Sequence, residues 1–278
     1  MTMLKSRVIT AIIMLVLLLA ALFLLPALGW SLLVIAMVMQ GTSEWARLSQ
    51  LQGTSAKLYW GATLLLMLGL LWLDMNLEPG AMNYPHLTAY LFSAVLWLIV
   101  VPAWLMSGVK ITHKGLMMLV GWLVIVPTGL AMIDLRAWAP SPWMLLFVMG
   151  IVWVADSAAY FAGRKYGKTK LAPSISPGKT WEGVAGAIFG VSIYVAVVWT
   201  FSAEFARLQV LPAMMLTAWW WVVLAVMGDL FESAIKRQAG VKDSGALLPG
   251  HGGLLDRIDA LTSTLPLAML ALLFHGLN

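Results

Sequence analysis

The sequence predicts an all-α protein: a polytopic transmembrane bundle of about nine spans with a cytoplasmic N-terminus. Three observations predict it. Hydrophobic residues fill 62% of the 278 positions and charged residues only 10%, against roughly 25% charged in a soluble domain. The apolar residues fall into runs close to the ~20 positions a helix needs to cross a bilayer. Lysine and arginine alternate between the joining segments in the way that cytoplasmic loops collect them.

In chain order the candidate spans lie near 8–25, 27–44, 58–73, 88–107, 115–133, 143–162, 183–202, 211–231 and 259–276. Pro26 and Gly29 leave only a tight hairpin between the first two, so a single bent span is the alternative there. Lys5 and Arg7 before an apolar run also resemble a cleaved signal peptide. That run is longer than the usual ~7–15 residues of such a segment, and a second run follows at once, so an uncleaved anchor is expected. With the N-terminus inside, fifteen of the seventeen Lys and Arg fall in inside loops and only Arg136 and Arg207 lie outside. The charged loops 163–182 and 232–258 then face the cytoplasm. The net charge of +5 is this bias, and it gives no ground for a nucleic-acid partner. A basic inner rim suits anionic lipid head groups. The chain has no cysteine, which excludes disulfides and thiolate metal sites.

The chain divides unevenly. Residues 1–140 read as a scaffold of spans with short, plain loops, available to lipid or to a second copy in a homodimer. Their one polar cluster, Glu44 with Trp45 and Arg47, reads as an interfacial belt with a snorkelling arginine. Residues 141–278 read as the catalytic region, and eight of the twelve acidic residues lie after position 150. Asp156 sits in IVWVADSAAYFAG, Asp229 in VVLAVMGDLFES, and Asp256 and Asp259 open the last span. A carboxylate at membrane depth is costly unless something pairs with it. One such residue could lock two helices through an ion pair, but four near one face favour a functional site.

Asp256 and Asp259 are three apart and share a helix face, which calls for a proton or a cation between them. Asp229, with Ser233 four residues on, adds a carboxylate and a hydroxyl. Oxygen-only ligands suit Mg²⁺, with a second cation compatible. SPGKT (176–180) and Lys236, Arg237 and Lys242 place cations beside these carboxylates, as a phosphate-rich ligand would require. Gly250, Gly252 and Gly253 let backbone amides approach a phosphate. SPGKT is no Walker A loop, because Pro173 stands where that loop needs glycine and no parallel sheet is expected to host it.

The stretch SAIKRQAGVKDSGALLPGHGGLLDRID resembles the defining motif of the bacterial phosphatidate cytidylyltransferases (CDP-diacylglycerol synthases). The match runs through Ser233, Lys236, Arg237, Lys242, Asp243, His251, Gly252, Gly253, Asp256, Arg257 and Asp259. It extends upstream through GDLFES and ADSAAYFAGRKYGKTKLAPSISPGKTWEG. The resemblance implies an integral protein of a bacterial inner membrane, with its site facing the cytoplasm. It implies that CTP and phosphatidic acid are the substrates, and CDP-diacylglycerol and pyrophosphate the products, with Mg²⁺. On this resemblance Asp229, Asp256 and Asp259 are expected to hold the metal. Lys236, Arg237, Lys242 and Arg257 would neutralise the triphosphate and the leaving pyrophosphate. Ser176, Lys179 and Thr180 would hold a phosphate from the other loop. His251, Gly252 and Gly253 would shape the CTP pocket, with Asp156, Ser233 and Asp243 completing the polar set. A CTP-dependent lipid kinase and, from another class, an organic-anion transporter are the alternatives.

Overall fold

A computed structural model describes residues 2–78, 82–139, 141–247 and 252–276. Among the described residues nine long helices carry the fold: α1 (Thr2–Leu24), α2 (Ala27–Leu48), α3 (Gly53–Met75), α4 (Tyr84–Ser107), α5 (Lys114–Ala137), α6 (Trp143–Tyr166), α7 (Trp181–Phe201), α9 (Leu211–Gln238) and α10 (Leu255–Gly276), with a short α8 (Ala203–Leu208) before α9. The stretch between α6 and α7, expected as a loop, contains a two-stranded antiparallel hairpin of β1 (Lys170–Ala172) and β2 (Ser176–Thr180). Among the described residues seven helices, α3 to α7, α9 and α10, are long and apolar enough to cross a membrane. The C-terminal turns of α2 carry Gln40, Thr42, Ser43, Glu44 and Arg47, which makes α2 the most polar of the long helices in the first half.

The helices break where the residues require it. Pro102 has no N–H to return to Leu98, and α4 widens into a π turn at Leu96–Val100 just before it. Pro127 and Pro266 lie inside α5 and α10. The carbonyl of Thr262, which loses its helical donor to Pro266, lies 3.3 Å from the Thr128 hydroxyl of α5. Helix α9 ends at Gly240, whose φ of +74° suits a residue without a side chain. There Gly240 N–H donates to Arg237 C=O and Val241 N–H to Lys236 C=O, closing the last turn.

One hydrophobic core runs through the bundle. Helix α10 is largely buried and packs on α4, α5, α6 and α9. Helices α6 and α7 approach closely because α7 is notched with glycine: a Cβ on Gly186 would stand 2.2 Å from Ala162 Cβ, and one on Gly190 2.7 Å from Ala158 Cβ. The spacing of Gly183, Gly186 and Gly190 along one face of α7 is what allows this contact. Phe231 of α9 sits among Trp45, Trp97 and Trp104, with ring centroids at 6.1, 5.2 and 5.4 Å, and so ties α9 to α2 and α4.

The two ends of the bundle differ. At one end the loop residues 49–52, 108–113, 167–180, 239–247 and 252–254 gather. Gln238, at the tip of α9, clasps Ile111 through both backbone groups at 2.7 Å each. At the opposite end Arg136 Nε donates to Leu22 C=O at 2.9 Å. Nearby, Asp134 Oδ2 faces His86 Nδ1 at 2.9 Å and accepts from the Tyr90 hydroxyl at 2.6 Å.

Candidate active site

The site lies where α6, the hairpin, α7, α9 and α10 meet at the loop-rich end. Its floor depends on one close approach. A Cβ on Gly228 would stand 2.6 Å from both the Asp259 carbonyl and Ser263 Oγ, so only glycine lets α9 and α10 touch there. Ser263 Oγ then donates to Leu224 C=O across the seam at 2.7 Å. This contact sets Asp229, the next residue of α9, beside Asp259 of α10. Asp259 lies within electrostatic reach of Asp229, Glu232 and Asp156, and Asp156 within reach of Asp229 and Lys179.

Beside these carboxylates opens a cavity of 460 Å³. Asp156, Lys179, Asp229, Ser176 and Arg164 give it polar groups, while Ala155, Ala159, Val184, Ala187 and Val226 give it apolar walls. Lys179 of β2 reaches in and pairs with Asp229, Nζ to Oδ2 at 2.7 Å. Ser233 Oγ donates to the other oxygen, Oδ1, at 3.3 Å. Thr180 is buried and spends its hydroxyl as the N-cap of α7, accepting from Gly183 N–H at 3.1 Å. That role differs from the phosphate contact expected of it. Glu182 accepts from the N–H groups of Lys168 and Thr169, both at 3.1 Å, and so fastens the hairpin to α7.

A second cluster lies one helical turn further on. Lys236 Nζ pairs with Glu232 Oε2 at 2.8 Å and Asp256 Oδ1 at 2.6 Å. Asp256 Oδ2 accepts from Gly253 N–H at 2.7 Å, Ser244 N–H at 2.8 Å and Ser244 Oγ at 2.9 Å. Asp256 and Asp259 do share a flank of α10, but Asp256 turns to the loop and Asp259 to α9. The expected three-carboxylate set of Asp229, Asp256 and Asp259 is therefore not gathered: among the described residues no three such side chains converge on one point. The reason is that four donors already occupy Asp256. Lys236 likewise faces inward, while its neighbour Arg237 is exposed, as successive helical residues point about 100° apart. Lys242, Asp243 and Arg257 are exposed on the same end of the bundle. Gly252 has a φ of +81°, and a Cβ there would stand 2.6 Å from Asp256 Oδ2. His251 and Gly250 lie outside the described residues.

Three participants escaped the sequence reading. Glu232 was passed over because it adjoins the more obvious Asp229; its spacing of four from Lys236 was the available signal. Gly228 was visible only as the small residue before that aspartate. Glu44 was read as part of an interfacial belt and is instead wholly buried. It accepts from Leu254 N–H and Leu255 N–H at 2.8 and 2.9 Å, from Ser244 Oγ at 2.9 Å and from Gln40 Nε2 at 2.8 Å.

The donor set can be tested against a cation. Asp229 and Asp259 present oxygen to each other's neighbourhood, and Glu232 Oε1 is buried with no hydrogen-bond partner among the described residues. Carboxylates crowded at this depth fit a hard divalent ion, which takes one or two protein carboxylates and completes its shell with water and substrate phosphate. Asp229 and Asp259 fit that role, with Asp156 near them; Asp256 does not in this arrangement.

The family model described as the cytidylyltransferase family matches residues 5–275. The chain is 36% identical over 280 residues to the phosphatidate cytidylyltransferase of Haemophilus influenzae, covering 95% of this chain and 96% of that protein. It is 36% identical over 264 residues to the protein of the same name from Pseudomonas aeruginosa, covering 95% of each. With that of Brucella suis it shares 35% identity over 272 residues, 97% of this chain and 93% of the relative.

Proposed function

This chain belongs to the cytidylyltransferase family, and from that premise we propose that it transfers CMP from CTP to phosphatidate at the cavity between α6, α7 and α9. An oxygen of the lipid phosphate attacks the α-phosphorus of CTP. A new P–O–P bond forms as the α–β anhydride breaks, and pyrophosphate leaves with the electron pair. The lipid phosphate has a second pKa of about 6, so at neutral pH it is largely deprotonated and needs no general base.

Such chemistry consists of positioning and of charge neutralisation. Asp229 and Asp259 would hold Mg²⁺, with Asp156 beside them, and the ion would supply positive charge to the phosphates. Lys179, on the hairpin, bridges the carboxylates and the cavity and is placed to exchange Asp229 for a phosphate oxygen. The apolar walls take the first part of the lipid's hydrocarbon. Arg237, Lys242 and Arg257 form an exposed rim for the triphosphate and the departing pyrophosphate. The bias of basic residues to this end supports a site facing the cytoplasm, in a protein of a bacterial inner membrane with nine spans and the N-terminus on that same side. Residues 141–278 form the catalytic part and residues 1–140 the scaffold. Pairing of two copies through that scaffold remains part of the proposal.

The observation that carries the reading is the shared wall of one cavity, carboxylates and a lysine against alanine and valine. The test uses the purified protein with Mg²⁺, phosphatidate and CTP labelled at either the α- or the γ-phosphate. Transfer of α-label to chloroform-soluble lipid is expected. Entry of γ-label alone would assign a lipid kinase instead. Asp259→Asn and Asp229→Asn should each abolish the transfer in protein that still folds, and retained activity in both would overturn the cation assignment.

A further inference from the structure

We propose that Glu44, on the second helix of the scaffold, is a positioning residue that sets the start of α10 and with it the orientation of Asp259 against Asp229. The segment 239–254 forms neither helix nor strand of any length among the described residues, so something else must fix where α10 begins. The first amides of a helix have no partner within it, and a carboxylate is favoured at that end. Glu44 fills both needs from about 210 residues away: its Oε1 accepts from Leu254 N–H and its Oε2 from Leu255 N–H.

Its reach extends to the site through Ser244. That hydroxyl stands 2.9 Å from Glu44 Oε2 and 2.9 Å from Asp256 Oδ2, so two buried carboxylates share one proton. Asp256 in turn holds Lys236 and the Gly253 amide. The glycines of the loop are cut to this carboxylate. A Cβ on Gly253 would lie 2.4 Å from Glu44 Oε2, and one on Gly245 2.8 Å from Oε1. Glu44 itself touches none of the cavity-lining residues, so its effect on the reaction passes through the loop.

The hydrogen bonds make Glu44→Gln a sharp probe. Each carboxylate oxygen accepts from one backbone N–H and one side chain. The Gln40 amide and the Ser244 hydroxyl can turn to accept from an amide nitrogen, but the backbone N–H of Leu254 or Leu255 cannot. Either way round, the variant loses one bond to the start of α10. Two readouts on the detergent-purified full chain test the proposal. The first is backbone amide exchange without substrate or metal: in Glu44→Gln, exchange at 244–255 should accelerate at least about tenfold, while α5 and α6 keep wild-type protection. The second is kinetic, and it alone rests on the proposed reaction: kcat should fall about 10–100-fold, the range for residues that orient a ligand, with the KM for phosphatidate within about twofold. Ser244→Ala, which removes one bond of the relay, should lower kcat about fivefold and serves if Glu44→Gln does not fold.

Glu44→Gln protein with wild-type exchange at 253–255 overturns the proposal, whatever its rate. So does faster local exchange with an unchanged kcat. If Glu44→Gln fails to fold and Ser244→Ala matches wild type in both readouts, the proposal is overturned as well. Absence of cytidylyl transfer by the wild-type protein would sink the proposed function and leave the exchange result to decide the role of Glu44.

Discussion

Replacing Gly228 by alanine adds one methyl group at the contact on which the site rests. The new Cβ would stand 2.6 Å from the Asp259 carbonyl, 2.6 Å from Ser263 Oγ and 3.2 Å from Ala260 Cα. Two of these three atoms are backbone, so a rotamer change cannot clear the clash. Ordinary contact begins near 3.4 Å, so α9 and α10 must part by about 0.8 Å along this line. Overpacking of that kind costs about 1–3 kcal/mol, which the bundle can absorb. The chemistry is less tolerant. Asp229 and Asp259 sit on opposite sides of the widened seam, and a displacement near 1 Å at reacting groups costs on the order of 100-fold in rate. Gly228→Ala should therefore fold, with a lowered melting midpoint, and lose about two orders of magnitude in kcat. The assay is formation of CDP-lipid from α-labelled CTP over a range of Mg²⁺ concentrations. The control is Gly69→Ala, where a Cβ meets nothing within 4 Å and the rate should not change. A Gly228→Ala enzyme turning over within about threefold of wild type at the same Mg²⁺ requirement would refute the argument that this seam sets the carboxylate geometry.

Three further outcomes follow from the same structure. Lys236→Met removes the counter-ion from Glu232 and Asp256, whose side chains are 5% and 6% exposed; breaking a buried pair costs about 3–5 kcal/mol, so thermal unfolding should shift sharply, and adding Glu232→Gln should recover part of the loss. Asp256→Asn should lower kcat while leaving the half-saturating Mg²⁺ concentration within about twofold, because Asp256 holds the loop; a Mg²⁺ titration in which Asp256→Asn needs far more metal would return it to the ligand set. Gly186→Val places a branched side chain where even a Cβ would stand 2.2 Å from Ala162 Cβ, so folded protein should not be recovered, and Ala162→Gly in the same chain should restore some of it, as size-exclusion profiles would show.

The parts legible in the sequence are those written in local composition. A run from Leu58 to Leu73 announces α3, and the Gly183, Gly186 and Gly190 spacing announces a close helix contact. The motif aspartates announce a polar site, since acidic residues in apolar surroundings are conspicuous one at a time. What composition cannot show is which side of a membrane helix faces inward. Val191 is wholly buried and Phe189 exposed, yet both are apolar, because lipid and core make the same demand on a side chain. Amphipathic periodicity is thereby erased and helix pairing cannot be read. Glu44 was misread for a related reason. At the end of a span, beside Trp45 and Arg47, it looks like any interfacial residue, and three of its four donors, from Ser244, Leu254 and Leu255, become neighbours only once the chain has folded. Lys236 and Arg237 show the same limit at the smallest scale. Adjacent and alike in the motif, they part because a helix turns about 100° between them.

That parting divides the basic residues of the site by task. Five carboxylates at the site, Asp156, Asp229, Glu232, Asp256 and Asp259, outweigh the two lysines that pair among them, Lys179 and Lys236. Both substrates of the proposed reaction are anions, so apart from the proposed Mg²⁺ the site repels what it must receive. Neither lysine relieves the repulsion at a distance, because each is already neutralised by a carboxylate. Long-range attraction beyond that ion must then come from charges at the rim, where Arg237 and Lys242 are exposed. Exposed charges act through capture and are screened by salt. Charges spent in the pairs act through geometry and are screened much less. Replacing Lys242 by Met should accordingly raise the KM for CTP, by a factor that shrinks as ionic strength rises, with kcat little changed. Replacing Lys179 by Met should lower kcat at every salt concentration. If both variants respond to salt alike, the division between rim and interior is wrong, and the lysines of the motif form a single phosphate cradle.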